Sequence, residues 1–283
     1  MNILNVKIDT KTKSQFEKLV VDGLKKTSKT KISKTNTDFL QRAMRDAGFA
    51  KVLNDSDINI VDGRGVMWAA RYLTLPISSN RLLRPIQAVV QMVYSGASIV
   101  LNRKFITYPI AEAIPGIDAF NIMMKSASDV GAGVFIFGGD EATLKSAVTN
   151  IKTEFPALRV SGSLNGYDFQ TDKNLNPVDE INKTDARLLI VALGSPRQEI
   201  WIGENMDNLK NIRVAVGEGG TLDRIANPSQ KSPAFINKIG LEWLWRTLFN
   251  HSKKNRFRRL WNAVPVFICQ MIKWKIRYGQ AKI

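Results

Sequence analysis

The chain contains 283 residues, of which 44% are hydrophobic and 23% charged, an ordinary composition for a globular protein with an apolar core. Its formal net charge of +16 predicts an anionic partner, which could be nucleic acid, a phosphorylated substrate or an anionic membrane surface. The single cysteine excludes an intrachain disulfide. With one cysteine and one histidine, the chain offers few candidate residues for a Cys/His zinc site or a Ser-His-Asp triad. The N-terminal residues lack the apolar core of a signal peptide, so we expect a reducing, cytoplasmic environment.

Strand-like and helix-like patterns alternate along the chain. The first clear strand is INIVDGRG at 58–65, followed by a helix in VMWAARYL. Further strands are predicted within 133–140, 158–167, 187–196 and 212–217, with helices at 141–155 and 178–185 between them. This alternation predicts an α/β fold with a mostly parallel sheet.

Glycine recurs at the ends of four predicted strands, and strand ends are where open α/β sheets bind ligands. Glycine allows close approach of the backbone to a ligand, and N–H groups at the start of the next helix suit phosphate. Each turn by itself is equally explained as a tight connection. Together, in a basic protein, they favour a nucleotide pocket lined by Asp62-Gly63, Gly138-Gly139, Gly194-Ser195 and Gly217-Glu218-Gly219-Gly220.

Residues 81–104 predict a long apolar helix with one narrow polar stripe. Arginine, glutamine and serine recur along it at three- and four-residue steps, at Arg84, Gln87, Gln91, Ser95 and Ser98. The glutamines argue against a transmembrane span, because they are costly in lipid. Two interpretations stay open: a helix buried in the core or in an oligomer, and a helix that dips into a membrane.

Residues 251–283 contain no acidic residue and interleave cations with aromatic side chains. The apolar residues include Trp261, Phe267, Met271 and Trp274, with Lys273, Lys275 and Arg277 beside them. This combination favours an amphipathic helix on an anionic membrane over a C-terminal helix packed on the core.

The motif VALGSPRQEIWI at 191–202 resembles the VGLGxPxQExW signature of the WecB/TagA/CpsF family of bacterial glycosyltransferases. Other segments resemble the family in the same order: NTDFLQRA (36–43), DINIVDGRGVMWAARYL (57–73), FIFGGDEATLKSA (135–147), FPALRVSGSLNGYD (155–168) and GLEWLWR (240–246). The similarity runs from about residue 34 to 260. The order of several motifs is far more specific than any one of them.

The resemblance implies a Rossmann-like α/β fold and an inverting transfer that uses neither metal nor cofactor. The expected donor is a UDP-sugar of the N-acetylmannosamine type, and the expected acceptor is a sugar on undecaprenyl diphosphate. Because these partners and the bilayer are anionic, they account for the positive charge. The expected location is the cytoplasmic face of the plasma membrane, and a second copy of the chain is a further candidate partner.

The resemblance also implies a division of the chain. Residues 1–245 are expected to form the α/β glycosyltransferase domain, with an inserted helical segment at about 77–115. Residues 246–283 are expected to form a basic, membrane-associating appendage.

An inverting transfer needs a base for the acceptor hydroxyl, and the resemblance assigns that role to Asp62. The alternative for Asp62-Gly63 is a simple turn. The other implied positions bind substrate: Asn36, Thr35, Thr37, Gly63, Asp118, Gly138, Gly139, Gly194, Ser195, Pro196, Arg197, Gln198, Glu199, Gly219, Gly220, Asp223, Arg246, Lys253 and Arg256. Gln198 and Glu199 are expected to face the nucleotide or to support its loop, and the last three residues to stabilise the leaving diphosphate.

Several positions depart from the family pattern. Lys34 replaces a threonine, and Ala113 replaces an arginine before Asp118. Asn227, Lys231 and Ser232 replace the usual Gly, Arg and Ala. These departures motivate an alternative in which the protein binds UDP but is catalytically impaired.

Two other hypotheses are less favoured. Asp55-Ser56-Asp57 resembles a D-x-D metal motif, but it precedes its strand, so we expect a solvated turn and no metal site. The net charge also suggests a nucleic-acid-binding protein, which should carry basic and stacking residues over one face. Here they concentrate in the tail, so no nucleic-acid partner is expected.

Overall fold

A computed structural model of the chain describes residues 1–166, 175–228 and 262–281, together with Trp245. A short antiparallel hairpin comes first, formed by β1 (Asn2–Ile3) and β2 (Val6–Lys7). The strands of the main sheet are β3 (Thr30–Thr35), β4 (Ile58–Val61), β5 (Gly133–Gly138), β6 (Val160–Leu164), β7 (Ala186–Ala192) and β8 (Val214–Gly217). All pair in parallel, in the order β4–β3–β8–β7–β5–β6, which confirms the predicted α/β fold.

Helices connect the strands and cover both faces of the sheet. In chain order they are α1 (Lys13–Lys25), α2 (Thr37–Ala43), α3 (Ala47–Asn54), α4 (Arg64–Thr74), α5 (Leu83–Leu101), α6 (Gly116–Asp129), α7 (Glu141–Glu154), α8 (Pro177–Asn182), α9 (Arg197–Asn205), α10 (Gly219–Ala226) and α11 (Phe267–Tyr278). Short 3-10 turns lie at Arg103–Ile106 and Met206–Asn208, and a π-helical turn at Asn262–Val266 leads into α11.

Alternate residues of the buried strands face opposite helical layers, as the two-residue period of a strand requires. In β5, Val134 and Ile136 pack into the core shared with α1, α6, α7 and α10. Phe135 and Phe137 point to the other face and pack with residues of α8 and α9. Burial on both faces explains why these strands are continuous apolar runs in the sequence.

Strand β3 is the exception, because it lies inside the sheet between β4 and β8 yet has the polar sequence TKISKT. The sequence did not predict it as a strand. Its polar side chains are satisfied locally: Thr35 Oγ1 donates to Asn59 Oδ1 at 2.7 Å, and Ser33 Oγ lies 2.7 Å from Ser56 Oγ. Neighbouring strands supply partners that hydrophobic patterning cannot reveal.

The C-terminal helix α11 packs against α4 and α5, and its apolar side is buried in the protein. Phe267 contacts the ring of Trp68 at a centroid distance of 6.1 Å, and Met271 is fully buried. The prediction that Phe267, Met271 and Lys275 contact a bilayer is therefore wrong, since all three side chains are buried against the rest of the protein. Trp261 lies outside the described residues.

Helix α5 forms most of the segment predicted as an insertion at 77–115, and it packs on α4 and α11. Within the described ranges, no helix is both long enough and apolar enough to cross a membrane.

Candidate active site

Asp62 follows β4 directly and lies at the carboxyl edge of the sheet. Its backbone N–H donates to Thr35 O at 2.9 Å, and its Oδ1 accepts from Gly116 N at 3.3 Å. The next residue, Gly63, has a φ of +103°, which β-carbon-bearing residues rarely adopt, and α4 begins after it. The half-buried carboxylate is thereby held between β3, β4 and α6.

Several helices begin at this edge of the sheet. α4, α9 and α10 follow β4, β7 and β8, and α6 presents the N–H of Gly116 to Asp62. A β-carbon added at Gly116 would lie 2.9 Å from Thr221 Oγ1 and 3.2 Å from Lys34 Nζ, so the start of α6 abuts β3 and α10. Helix N-termini carry partial positive charge and N–H donors, which suit a diphosphate.

A buried ion pair joins Lys34 of β3 to Glu218, which directly follows β8. The two side chains are only 8% and 0% exposed. Burial raises the pKa of the Glu218 carboxyl, while Lys34 and the Thr221 hydroxyl oppose that rise. The family's threonine is thus replaced by a cation that neutralises a carboxylate beneath the site.

Gln198 and Glu199 are also buried, and they bind each other through Nε2 and Oε1 at 2.6 Å. Gln198 Oε1 accepts from Gly219 N at 3.1 Å, which ties the loop after β7 to the loop after β8. Burial raises the pKa of Glu199, opposed by hydrogen bonds from Gln198 and Ser195. Gln198 and Glu199 were expected either to face the nucleotide or to support its loop, and these contacts favour the supporting role.

Glycines allow the backbones of neighbouring loops to lie close together. A β-carbon at Gly138, where φ is +123°, would lie 2.4 Å from the carbonyl carbon of Ala192. One at Gly219 would lie 3.2 Å from Gly194 N. Gly139, with a φ of +73°, donates its N–H to Ala192 O at 3.0 Å. Larger residues at Gly138 or Gly219 would separate the loops.

The predicted residues after β3 have structural partners. Thr35 is fully buried with its hydroxyl bound to Asn59, so that hydroxyl has no surface for a ligand. Asn36 caps α2 by accepting from Phe39 N at 3.0 Å. Thr37 lies against the start of α4, where its methyl group would be 2.7 Å from a β-carbon at Gly65.

The structure describes some of the other predicted residues. Arg197 and Asp223 are exposed, and Ser195 and Pro196 share a cis peptide bond in the loop before α9. Asp118 pairs with Lys13 Nζ at 2.6 Å near the start of α6. Gly220 lies in the first turn of α10. The remaining positions lie outside the described residues: Arg246, Lys253, Arg256, Lys231 and Ser232.

The acidic pair Asp55 and Asp57 lies at the opposite edge of the sheet from Asp62, because both residues precede β4. Asp57 Oδ2 accepts from Lys31 N at 2.7 Å, and Asp55 pairs with Lys51 one helical turn earlier. In the part of the chain that the structure describes, no three His, Cys, Asp or Glu side chains cluster closely enough to hold a metal ion.

Sequence reasoning missed the roles of Glu218, Thr221 and Arg64. The sequence places Glu218 in a glycine-rich turn, and its position directly after a buried strand is the feature that indicates a carboxylate at this edge of the sheet. Arg64 opens α4, two residues after Asp62, and its guanidinium pKa is lowered by burial and by the nearby Arg103. The 3-10 turn at Arg103–Ile106, which follows α5, contacts α4.

Comparison with known proteins identifies the group to which this architecture belongs. Residues 1–83 and 78–281 match the family described as Glycosyl transferase WecG/TagA/CpsF family. The chain belongs to this family. The match spans both the sheet and the C-terminal helix, and so extends beyond the segment, about 34–260, where the sequence motifs are recognised.

Three similar proteins share one description, N-acetylglucosaminyldiphosphoundecaprenol N-acetyl-beta-D-mannosaminyltransferase. One from Bacillus subtilis strain 168 is 25% identical over 86% of this chain and 78% of its own length. One from Bacillus spizizenii strain W23 is 28% identical over 63% of this chain and 66% of its own length. One from Staphylococcus aureus strain MRSA252 is 26% identical over 68% of this chain and 72% of its own length. The predicted family is confirmed.

Proposed function

We propose that the protein transfers an N-acetylhexosamine, N-acetylmannosamine or a close relative, from a UDP-sugar to a sugar on polyprenyl diphosphate in the synthesis of a cell-surface polymer. The observation that carries the proposal is the Asp62 carboxylate, bound by Gly116 N–H at the edge of the sheet where helices begin. The relatives' description names the same class of acceptor and a mannosaminyl product.

In the proposed mechanism, Asp62 accepts the proton of the acceptor hydroxyl as that oxygen attacks the anomeric carbon. A single base on one face of the donor gives inversion, because the diphosphate departs from the opposite face. The hydrogen bond from Gly116 orients the carboxylate for this step. The β-linked product in the relatives' description agrees with inversion of an α-linked donor.

The departing UDP needs positive charge or N–H donors near its diphosphate. The starts of α4, α6 and α10 supply donors at this edge. In the buried pair beneath the site, the positive charge of Lys34 offsets the negative charge of Glu218. The carboxylate of Glu218 therefore does not repel the diphosphate. Further cations are proposed to come from Arg246, Lys253 and Arg256 in the C-terminal segment.

The proposed transfer is independent of metal, because Asp55 and Asp57 lie at the wrong edge of the sheet to bridge the diphosphate. The acceptor lipid places the reaction at a membrane, and we propose its cytoplasmic face, where nucleotide sugars are available. To test the metal independence, turnover is measured in excess EDTA, where it should persist. Loss of turnover that Mg²⁺ or Mn²⁺ restores would contradict metal independence.

The decisive test is Asp62→Asn, assayed for UDP release with several UDP-sugars and a short-chain acceptor analogue. Turnover should fall about 10²–10⁴-fold, because the amide is no base, while UDP binding by calorimetry stays close to wild type. Asp57→Asn at the opposite edge is the matched control and should retain turnover. More than about a tenth of wild-type turnover in Asp62→Asn would exclude the base role.

A catalytically impaired relative is the second candidate, favoured by Lys34 in place of the family's threonine. It predicts UDP binding without UDP release for every donor tested with the wild-type protein. Turnover of any donor excludes it.

A further inference from the structure

Helix α5 exposes apolar side chains along its whole outward side. Leu82 and Val100 are 82% and 69% exposed, and Ile86, Val90 and Val93 are each above 60% exposed. Leu83, Val89, Tyr94 and Leu101 complete the surface, which follows the three- and four-residue steps of one helical face. We name this set the α5 face. An apolar surface of this extent marks an interaction site on a protein.

The polar stripe of the same helix is turned inward and is used in hydrogen bonds. Trp68 Nε1 donates to Ser95 Oγ at 3.0 Å, and Gln91 Nε2 donates to Pro76 O at 2.6 Å. Gln87 Oε1 accepts from Ser78 N at 2.7 Å. Rotating α5 to hide its apolar side would break these bonds, so the exposure is built into the packing.

The charge around the α5 face is positive. Residues 63–111 contain no Asp or Glu, whereas Arg64, Arg71, Arg81, Arg84, Arg103 and Lys104 supply six cations. Arg81, Arg103 and Lys104 are exposed at the two ends of α5. An apolar surface flanked by cations complements an anionic bilayer. A second copy would instead bring another charge of +16 toward the first.

The α5 face is also continuous with the candidate active site. α4 and α5 run antiparallel, because Trp68 bonds to Ser95 and Tyr72 OH donates to Ala88 O. The C-terminal end of α5 therefore returns to the start of α4. There Arg103 lies close enough to Arg64 to lower its pKa, two residues from Asp62.

We propose that the α5 face binds an anionic bilayer, with α5 lying in the interfacial plane and the cations at its ends among the headgroups. A helix of 19 residues gives about 28 Å of contact, and lying in the plane needs no membrane-spanning helix. This orientation brings the start of α4, two residues after Asp62, close to the membrane surface. The benefit to catalysis rests on the proposed function, whereas the membrane contact itself does not.

The test compares wild type with a triple variant, Ile86→Ser/Val90→Ser/Val93→Ser, on vesicles of phosphatidylglycerol and phosphatidylcholine. Affinity in a sedimentation assay should fall at least about tenfold, because three apolar side chains no longer enter the interface. The comparison variant is Val264→Ser, an exposed valine on the C-terminal segment, and its affinity should fall less than that of the triple variant. Binding of the wild type to pure phosphatidylcholine vesicles should be weaker.

Three outcomes bear on the proposal. Wild-type affinity of the triple variant, despite a native circular dichroism spectrum, would overturn it. So would a wild-type oligomer that the triple variant converts to monomer with unchanged vesicle binding, since the α5 face would then join two copies. Support would come from a triple variant that turns over a soluble acceptor normally but loses turnover of a vesicle-embedded one.

Failure of the proposed function gives a different pattern. If wild type turns over neither acceptor while vesicle binding still depends on the α5 face, the transferase proposal fails and the membrane contact stands.

Discussion

Two regions of the molecule bury a lysine, and they do so with different partners. At the candidate active site, Lys34 pairs with the carboxylate of Glu218. In the layer formed by α4, α5 and α11, Lys275 is fully buried and donates to the backbone carbonyl of Tyr72, with its ammonium group 4.4 Å from the centre of the Tyr72 ring. The first lysine has a compensating charge, whereas among the described residues the second is bound by a carbonyl dipole and an aromatic face.

The difference follows from where carboxylates occur in the sequence. Glu218 directly follows β8 at the edge where the loops meet, whereas residues 63–111 provide no Asp or Glu to the α5 layer. Burial, together with the nearby Arg71, therefore lowers the pKa of Lys275 to about 7. One region concentrates paired charges for chemistry, and the other excludes acids from a surface that we propose meets anionic lipid.

The largest effect on stability is expected from breaking the ion pair. Lys34→Met leaves Glu218 buried without its cation, and the free energy of unfolding in urea at neutral pH should fall by about 3–5 kcal/mol. The loss should shrink as pH falls, because a protonated Glu218 no longer needs a counter-charge. The double variant Lys34→Met/Glu218→Gln, which buries no charge at this pair, is the control and should recover most of the stability. Equal losses in both variants would show that Lys34 acts through packing instead.

The second effect is a pH dependence specific to Lys275. Its folded-state pKa lies below the usual value of 10.5, so between pH 7 and that value the unfolded chain binds more protons than the folded one. Stability therefore rises with pH, with a slope approaching ~1.4 kcal/mol per pH unit and a total of about 3 kcal/mol by about pH 9.5. Higher pH is avoided, because burial raises the pKa of Tyr72 and its unfolded-state titration would then contribute.

Lys275→Met isolates this contribution. The difference in unfolding free energy between wild type and variant should change across that pH window in favour of wild type. A difference that is constant with pH would mean that Lys275 stays protonated in the folded protein.

The smallest effect concerns the two sides of α5. Ser95→Ala removes the acceptor of the buried Trp68 N–H and should cost about 1–3 kcal/mol in thermal unfolding. Val93→Ser, two residues earlier on the exposed side, should change stability by at most about 0.5 kcal/mol. The reverse ranking would mean that α5 packs with its apolar side inward.

Strong patterns predicted the framework well. The apolar runs at β4, β5, β7 and β8 and the helices between them are confirmed, because strands buried on both faces must be continuously apolar. β3 escaped prediction, since Ser33, Lys34 and Thr35 find their partners on neighbouring elements. The position of Asp62 at a strand end was readable from the sequence, but its contact with Gly116, 54 residues away, was not.

By itself, the sequence determined the α/β class, the family and the presence of a polar stripe on a long apolar helix. These features depend on the spacing of apolar residues and on the order of the motifs, both of which can be read from the sequence alone. Only the tertiary structure decided which side of α5 faces the protein and that Phe267 and Met271 are buried. A hydrophobic stripe shows that a helix has two sides, but whether protein, lipid or water covers each side depends on neighbours far away in the chain. Trp68 and Pro76 supply those neighbours here, so the polar side of α5 turns inward and the apolar side faces out.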